Sequence, residues 1–593
     1  MAKVATRADI DEKYKWNLYD IIADEEAWER EYSDLSARAD KIAAFKGKLK
    51  DGDTVFACLT DNDELSQRLE KLYVFASMKS HEDESVSKYQ SMRSRAEILA
   101  VKMSAESSFI IPELGKLSDE TLRGFAAEER FAPFAYTLRE LIRNKPHILS
   151  EEEERLLANV GTFSGGFSDI FSMIDNVDIT FRPVRADGEL VEMSHGKYST
   201  LMQNPSRSVR KRAFESMFNA YKGLIHVISA VYGNSVKKDV FYAKVRRHDS
   251  ALKAALFGED IDPSVYDNLI EAVHSALPAV HEYVDYRKKA LKVDKIHMYD
   301  MYTPIVKGAS LKLSYEEACK LVREGLQPLG EDYAKLLDEA FRDRWIDVFE
   351  SKGKHSGAYS WGAYGTHPYV LMNFEGNTHD VFTLAHELGH AMHTYYSNES
   401  QPHASCDYQI FVAEIASTVN ETLMLKYLLK KTEDRNMKRY LLSYYLDMFR
   451  TTVFRQTMFA EFEKFSHESV EKDIPLDCDN MSDKYFELNK TYYGEQCDDD
   501  LIRYEWARIP HFYRSFYVYK YATGLIAAVS IVKGITDGKP DALKNYKAFL
   551  SAGGSMSPLD TLRLAGIDLT EKTAFDVAMQ EFSSTLDELK RMK

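Results

Sequence analysis

Apolar residues recur at helical spacing along most of the chain. Behind Asp24-Glu25-Glu26, the positions Trp28, Tyr32, Leu35 and Ala39 predict an amphipathic helix with an acidic first turn. Ser150 ahead of Glu151 to Glu154 predicts another helix start, and Asn204-Pro205-Ser206 introduces a long helix from Val209 to about Tyr232. Asp262-Pro263-Ser264 caps a helix carrying Val265, Leu269, Ile270 and Val273, and Ser314 with Glu317 forms a capping box after a break at Tyr302-Thr303-Pro304.

The pattern changes in two places. Between Gly161 and Ser194, GTFSGG (161–166) reads as a loop, and VDITF (177–181), the turn Asp187-Gly188 and ELVEM (189–193) predict a hairpin. Further on, GAYSWGAYG (357–365) reads as a mobile loop where backbone can approach a ligand, with Tyr359 a candidate to touch substrate, and HPYVLMNF (367–374) reads as a strand. An extended peptide can add to such a strand edge. The prediction is a mainly α fold with a small sheet, without internal repeat, heptad array or low-complexity linker.

The stretch DVFTLAHELGHAMH (380–393) brings in chemistry. On a helix, His386 and His390 return to one face with Glu387 beside them, the arrangement of a zinc hydrolase. With 17 histidines in 593 residues, a chance His-Glu-x-x-His has a probability on the order of a few per cent, so the motif needs a third ligand. The helix is expected to end near Asn398 and the next to start around Tyr408. At 1.5 Å per residue, roughly 10–12 Å out and roughly 9 Å back bring Glu414 level with the histidines. Glu421, His403, Cys406 and Asp407 are competitors, and Glu421 better suits a hydrogen bond to a ligand imidazole.

Near the C-terminus, Tyr513, Tyr517 and Tyr521 repeat four apart and predict one stripe on a helix, with His511 just ahead. Such a stripe suits a core as well as it suits donors to a tetrahedral oxyanion. Tyr513 and Tyr519 are candidates for substrate contact. Tyr521 to Val532 reads as a buried helix too short to span a bilayer.

Composition narrows the class. A net charge of −16 without a Lys/Arg stripe argues against nucleic acid, and 45% hydrophobic with 29% charged residues is ordinary for a globular protein. Five scattered cysteines without a CxxC pair suggest a reducing compartment, and Asp9, Asp11 and Glu12 fall where a signal peptide would be apolar. A cytoplasmic protein with no membrane partner is expected, organised as a helical region 1–195 and a catalytic region 196–593.

Taken in order, HELGHAMH, EIASTVNE (414–421) and RIPHFYRSFYVYKYATG (508–524) resemble the oligoendopeptidase F branch of the thimet oligopeptidase-like zinc peptidases. The resemblance implies a helical, two-lobed ellipsoid with a deep substrate channel that admits short peptides. It implies one Zn2+ held by His386, His390 and Glu414, Glu387 as general base, and His511, Tyr517 and Tyr521 as transition-state donors. A zinc carboxypeptidase, or a peptide-binding protein that does not cleave, would share part of this pattern; internal cuts in peptides separate the endopeptidase from both.

Overall fold

The computed structural model describes residues 4–306 and 311–592. It is mostly helical, and its contacts divide it into two compact units. One comprises Met1–Pro146, Ser310–Leu428 and Ile531–Ile567; the other comprises His147–Ala309, Leu429–Ser530 and Asp568–Lys593. Because each unit is assembled from three stretches, a single boundary near residue 195 does not separate them.

The first unit is organised on the helix Gly52–Glu82, which Asp51 caps by accepting the Thr54 N–H. Its buried face, including Leu65, Leu72 and Phe75, packs with Trp28, Leu35, Leu99 and Leu122. Trp28 is fully buried, and its indole N–H donates to the Leu72 carbonyl at 2.9 Å, which satisfies the polar end of a large apolar side chain. Tyr369–Leu371 is the central strand of a three-stranded sheet, parallel to Ile346–Asp347 and antiparallel to Tyr359–Trp361. The expected strand is therefore present, but the stretch read as a mobile loop also contains an edge strand. Burial explains this: Ala363, Tyr369 and Leu371 belong to the unit's core, and Tyr359 and Trp361 pack against it. The sheet lies against the helix Thr378–Ser400.

The second unit is built around Arg207–Val245, a helix of 39 residues that runs well past Tyr232. Gly233-Asn234-Ser235 looks like a stop, yet Ser235 and Val236 are buried and packing carries the helix through. The hairpin pairs Val184–Ala186 with Glu189–Val191, and Asp187 and Gly188 both have positive φ, as a two-residue turn of this hand requires. VDITF is not its first strand. Residues 174–178 form a π-helical turn because Asp175 is buried and accepts the Tyr221 hydroxyl at 2.5 Å. GTFSGG is helical too, shared between Glu151–Ser164 and Gly166–Met173; a glycine costs a helix only about 1 kcal/mol.

Candidate metal centre

The helix Thr378–Ser400 opens on a capping box: Asn377 accepts the Asp380 N–H, and Asp380 accepts the Asn377 N–H at 3.1 Å. Two turns on, Leu384, Ala385 and Leu388 are fully buried, which fixes the rotation of the helix and directs His386 and His390 to one side. The helix Ile410–Lys431 then crosses it at backbone distance. A Cβ on Gly389 would lie 2.5 Å from Ser417 Cα and 2.7 Å from the Ala416 carbonyl oxygen, so only hydrogen fits there. The fully buried Asn420 pins the crossing by donating to the Ala385 carbonyl at 2.9 Å and accepting from the Tyr333 hydroxyl at 3.0 Å.

The crossing brings Glu414 to the histidines. His386 Nε2 and His390 Nε2 lie 3.2 Å apart, and Glu414 Oε2 lies 3.5 Å from the first and 3.7 Å from the second. Among the described residues, this is the group of three His, Cys, Asp or Glu side chains able to share a metal ion. The donor set fits zinc: bonds of about 2.0–2.2 Å in a tetrahedron place ligand atoms roughly 3.3–3.6 Å apart. The remaining nitrogens are also held. His386 Nδ1 bonds Glu421 Oε1 at 2.6 Å, leaving Nε2 free to present a lone pair, and the His390 ring bonds the Ala413 carbonyl. His403 takes no part, bonding Asp63 instead at 2.7 Å.

The protein's own electrostatics favour a cation here. Burial opposes a charged His386, but Glu421, Glu387 and Glu414 outweigh it and raise its pKa to about 9. Burial and the His386 charge lower that of His390 to about 3. Burial raises Glu387 to about 7, against the opposing pull of His386, with Glu414 and Glu421 adding to the rise and the Ser360 amide opposing it. That amide belongs to the edge strand, where the Tyr359 hydroxyl bonds His81 Nδ1 at 2.7 Å. His393 is fully buried, stacks on Tyr408 at 3.7 Å and has neither ring nitrogen hydrogen-bonded.

In the second unit, the tyrosines 513, 517 and 521 do not form one helical stripe. Pro510–Tyr513 is a 3-10 turn, the backbone through Val518 is non-helical, and a helix resumes at Tyr519–Thr536. The kink centres on Phe516, whose φ of 55° is uncommon outside glycine. Its N–H donates to the fully buried Glu463 at 3.0 Å, while the Ser515 hydroxyl bonds Asp239. Phe512 anchors the preceding turn against Phe462 at 5.3 Å and Phe459 at 5.6 Å. Between these anchors, His511, Tyr517 and Tyr521 gather, with ring centroids 5.4–6.0 Å apart. His511 lies at the surface, and partial desolvation of its ring, with the charges of Arg455 and Arg514, lowers its pKa. Tyr519 is 1% exposed against Tyr266, and Tyr513 stacks on Phe171 at 4.5 Å with its hydroxyl buried and unpaired.

Gly389, Asn420 and Phe516 were not singled out by sequence pattern. The signal for Gly389 was visible as a glycine inside an otherwise apolar helix, which marks a close approach; Asn420 and Phe516 depend on contacts distant in sequence.

Residues 200–581 match the family described as Peptidase family M3, and residues 113–181 match the one described as Oligopeptidase F. The chain is 41% identical to Oligopeptidase PepF of Bacillus subtilis (strain 168), over 99% of its own length and 88% of that protein's. A crystal structure of a Chlamydophila abortus protein superposes with a TM-score of 0.95 at 32% identity, covering 100% of both chains. The oligoendopeptidase-F structure from Enterococcus faecium gives 0.73 at 34% identity, covering 96% of this chain and 99% of the other.

Proposed function

The chain belongs to peptidase family M3, and from that premise we propose that it is a zinc-dependent endopeptidase acting on short peptides. The observation that supports this most is the convergence of His386, His390 and Glu414 on one point, with Glu387 beside them. His386, His390 and Glu414 would hold the zinc ion, which would supply Lewis acidity toward a peptide carbonyl and a water. Glu387, buried and raised toward neutrality, takes the proton from the attacking water and passes it to the leaving amine. Glu421 orients His386 through Nδ1 and keeps its Nε2 lone pair on the ligand side. The oxyanion donors that the family resemblance implies are His511, Tyr517 and Tyr521, whose rings gather within one unit.

The edge strand Tyr359–Trp361 is where the substrate backbone pairs, since Ser360 from that strand already approaches Glu387. The test is Glu387→Gln, assayed for metal content and turnover together. Retained zinc with turnover reduced by about 1,000-fold or more is expected; turnover near wild type removes Glu387 from the chemistry.

A further inference from the structure

A cavity of about 390 Å3 lies in the first unit, between the segment 7–19 and the end of the helix Gly52–Glu82. That volume falls in the range of small-molecule sites. Its walls carry four cations, Arg7, Lys15, Lys79 and Arg344, and two carboxylates, Glu12 and Glu82. The walls are fastened to one another: the Asn17 N–H donates to the Arg344 carbonyl at 2.9 Å, and Arg344 Nε donates to the Lys15 carbonyl at 3.0 Å. Trp16, 2% exposed, closes one side, packing on Tyr369 of the central strand at 6.3 Å and donating its indole N–H to Glu82 at 2.9 Å.

Each carboxylate of the lining serves two cations. Glu82 lies 3.1 Å from Arg7 and 2.6 Å from Lys79, and Glu12 lies 2.8 Å from Lys15 and 2.9 Å from Arg344. Asp347 does not alter the balance, because it is 2.7 Å from Arg7 and also 2.7 Å from Lys354, whose side chain is fully buried, and these two offset each other. Glu25, which accepts the Tyr19 hydroxyl at 3.4 Å, is itself partnered by Lys88 at 3.7 Å. Four positive charges against two negative leave the lining at +2, in a chain whose net charge is −16. Uncompensated charge is costly here, since the Lys15 and Lys79 side chains are only 11% and 9% exposed. Arg7 also keeps a donor uncommitted: its Nη1 is buried and has no hydrogen-bond partner among the described residues.

We propose that this cavity binds a small organic dianion, a phosphate monoester or a dicarboxylate. Such a ligand brings the two negative charges that the lining lacks, and its oxygens match the forked N–H groups of Arg7 and Arg344. None of the lining residues is a candidate metal ligand or the proposed base, so the site stands apart from the peptidase reading.

The test is isothermal titration of the full-length, zinc-loaded protein with inorganic phosphate and with succinate, against sodium chloride at matched ionic strength. At least one of the two dianions should bind saturably, one per chain, with a Kd of about 1 mM or tighter, and the tighter of the two names the head group. Arg344→Gln should weaken that binding about tenfold, whereas Glu12→Gln, which removes a competing carboxylate, should tighten it about threefold. Both side chains reach solvent, at 36% and 69% exposure, and far-UV circular dichroism checks that each variant folds. The two substitutions break the same ion pair, so a purely structural bridge would move the affinity in one direction for both. That result overturns the proposal. So does binding of neither dianion, or binding insensitive to both substitutions, as for an ion taken up at the zinc.

Discussion

At the residue scale, the centre works by assigning each nitrogen and oxygen one task. Glu421 is the clearest case, because it touches no proposed substrate group and yet sets the tautomer of His386. Glu421→Gln should lower zinc affinity by about 10–100-fold, read by competition with a chelator, while Glu387→Gln leaves it near wild type. The tyrosines separate by environment. Tyr517→Phe and Tyr521→Phe should each lower kcat about 100-fold if they donate to the oxyanion. Tyr513→Phe removes a hydroxyl that is buried and unpaired, so kcat and Tm should both stay within error. That His386, Glu387 and His390 lie together was legible in the sequence because helical periodicity puts them on one side, and the loop and start signals of the next helix brought Glu414 level with them. The tyrosine spacing misled for a physical reason: a four-residue repeat implies a shared face only if the backbone is helical, and Phe516 is held out of a helix by Glu463.

At the element scale, the site is a crossing of two helices set by a glycine and closed by a loop. Gly389→Ala places a methyl group against Ser417 and Ala416 backbone, so the helices must separate and carry Glu414 away from the histidines. Zinc content should fall well below one ion per chain while far-UV circular dichroism stays helical; full occupancy would show that the crossing is not what positions Glu414. The loop between the helices is tied to Gly52–Glu82 through His403, which bonds Asp63 at 2.7 Å and approaches Glu70 at 3.6 Å. Burial opposes charge on this imidazole, but the two carboxylates raise its pKa to about 9, above the ordinary value near 6.5. A raised pKa adds stability that is complete below about pH 6.5 and is lost as pH rises through about 9. The clamp is worth at most about 3 kcal/mol. The Tm difference between wild type and His403→Gln should therefore be largest near pH 6 and shrink toward pH 10; a pH-independent difference would mean that the imidazole acts by packing alone. The approximate length and antiparallel return of the helix pair were readable from capping residues and loop signals, whereas the edge strand Tyr359–Trp361 was not, since three residues carry too little alternation to register.

At the scale of the whole molecule, the mainly helical architecture followed from periodicity, and the family from three motifs in order, both now matched by full-length relatives. The division into units was not legible, because each is woven from three separated stretches and contacts between distant segments leave no local signature. No helix among the described residues is long and apolar enough to cross a membrane. On the function proposed above, this chain cuts peptides internally through a zinc ion held by His386, His390 and Glu414. The direct measurement is mass spectrometry of a mixed peptide library incubated with the purified protein, with the protein stripped of metal by a chelator, and with the stripped protein given back one equivalent of zinc. On that function, internal cuts that vanish on stripping and return with zinc are expected. Cleavage that survives stripping, or products shortened only by single C-terminal residues, would contradict it.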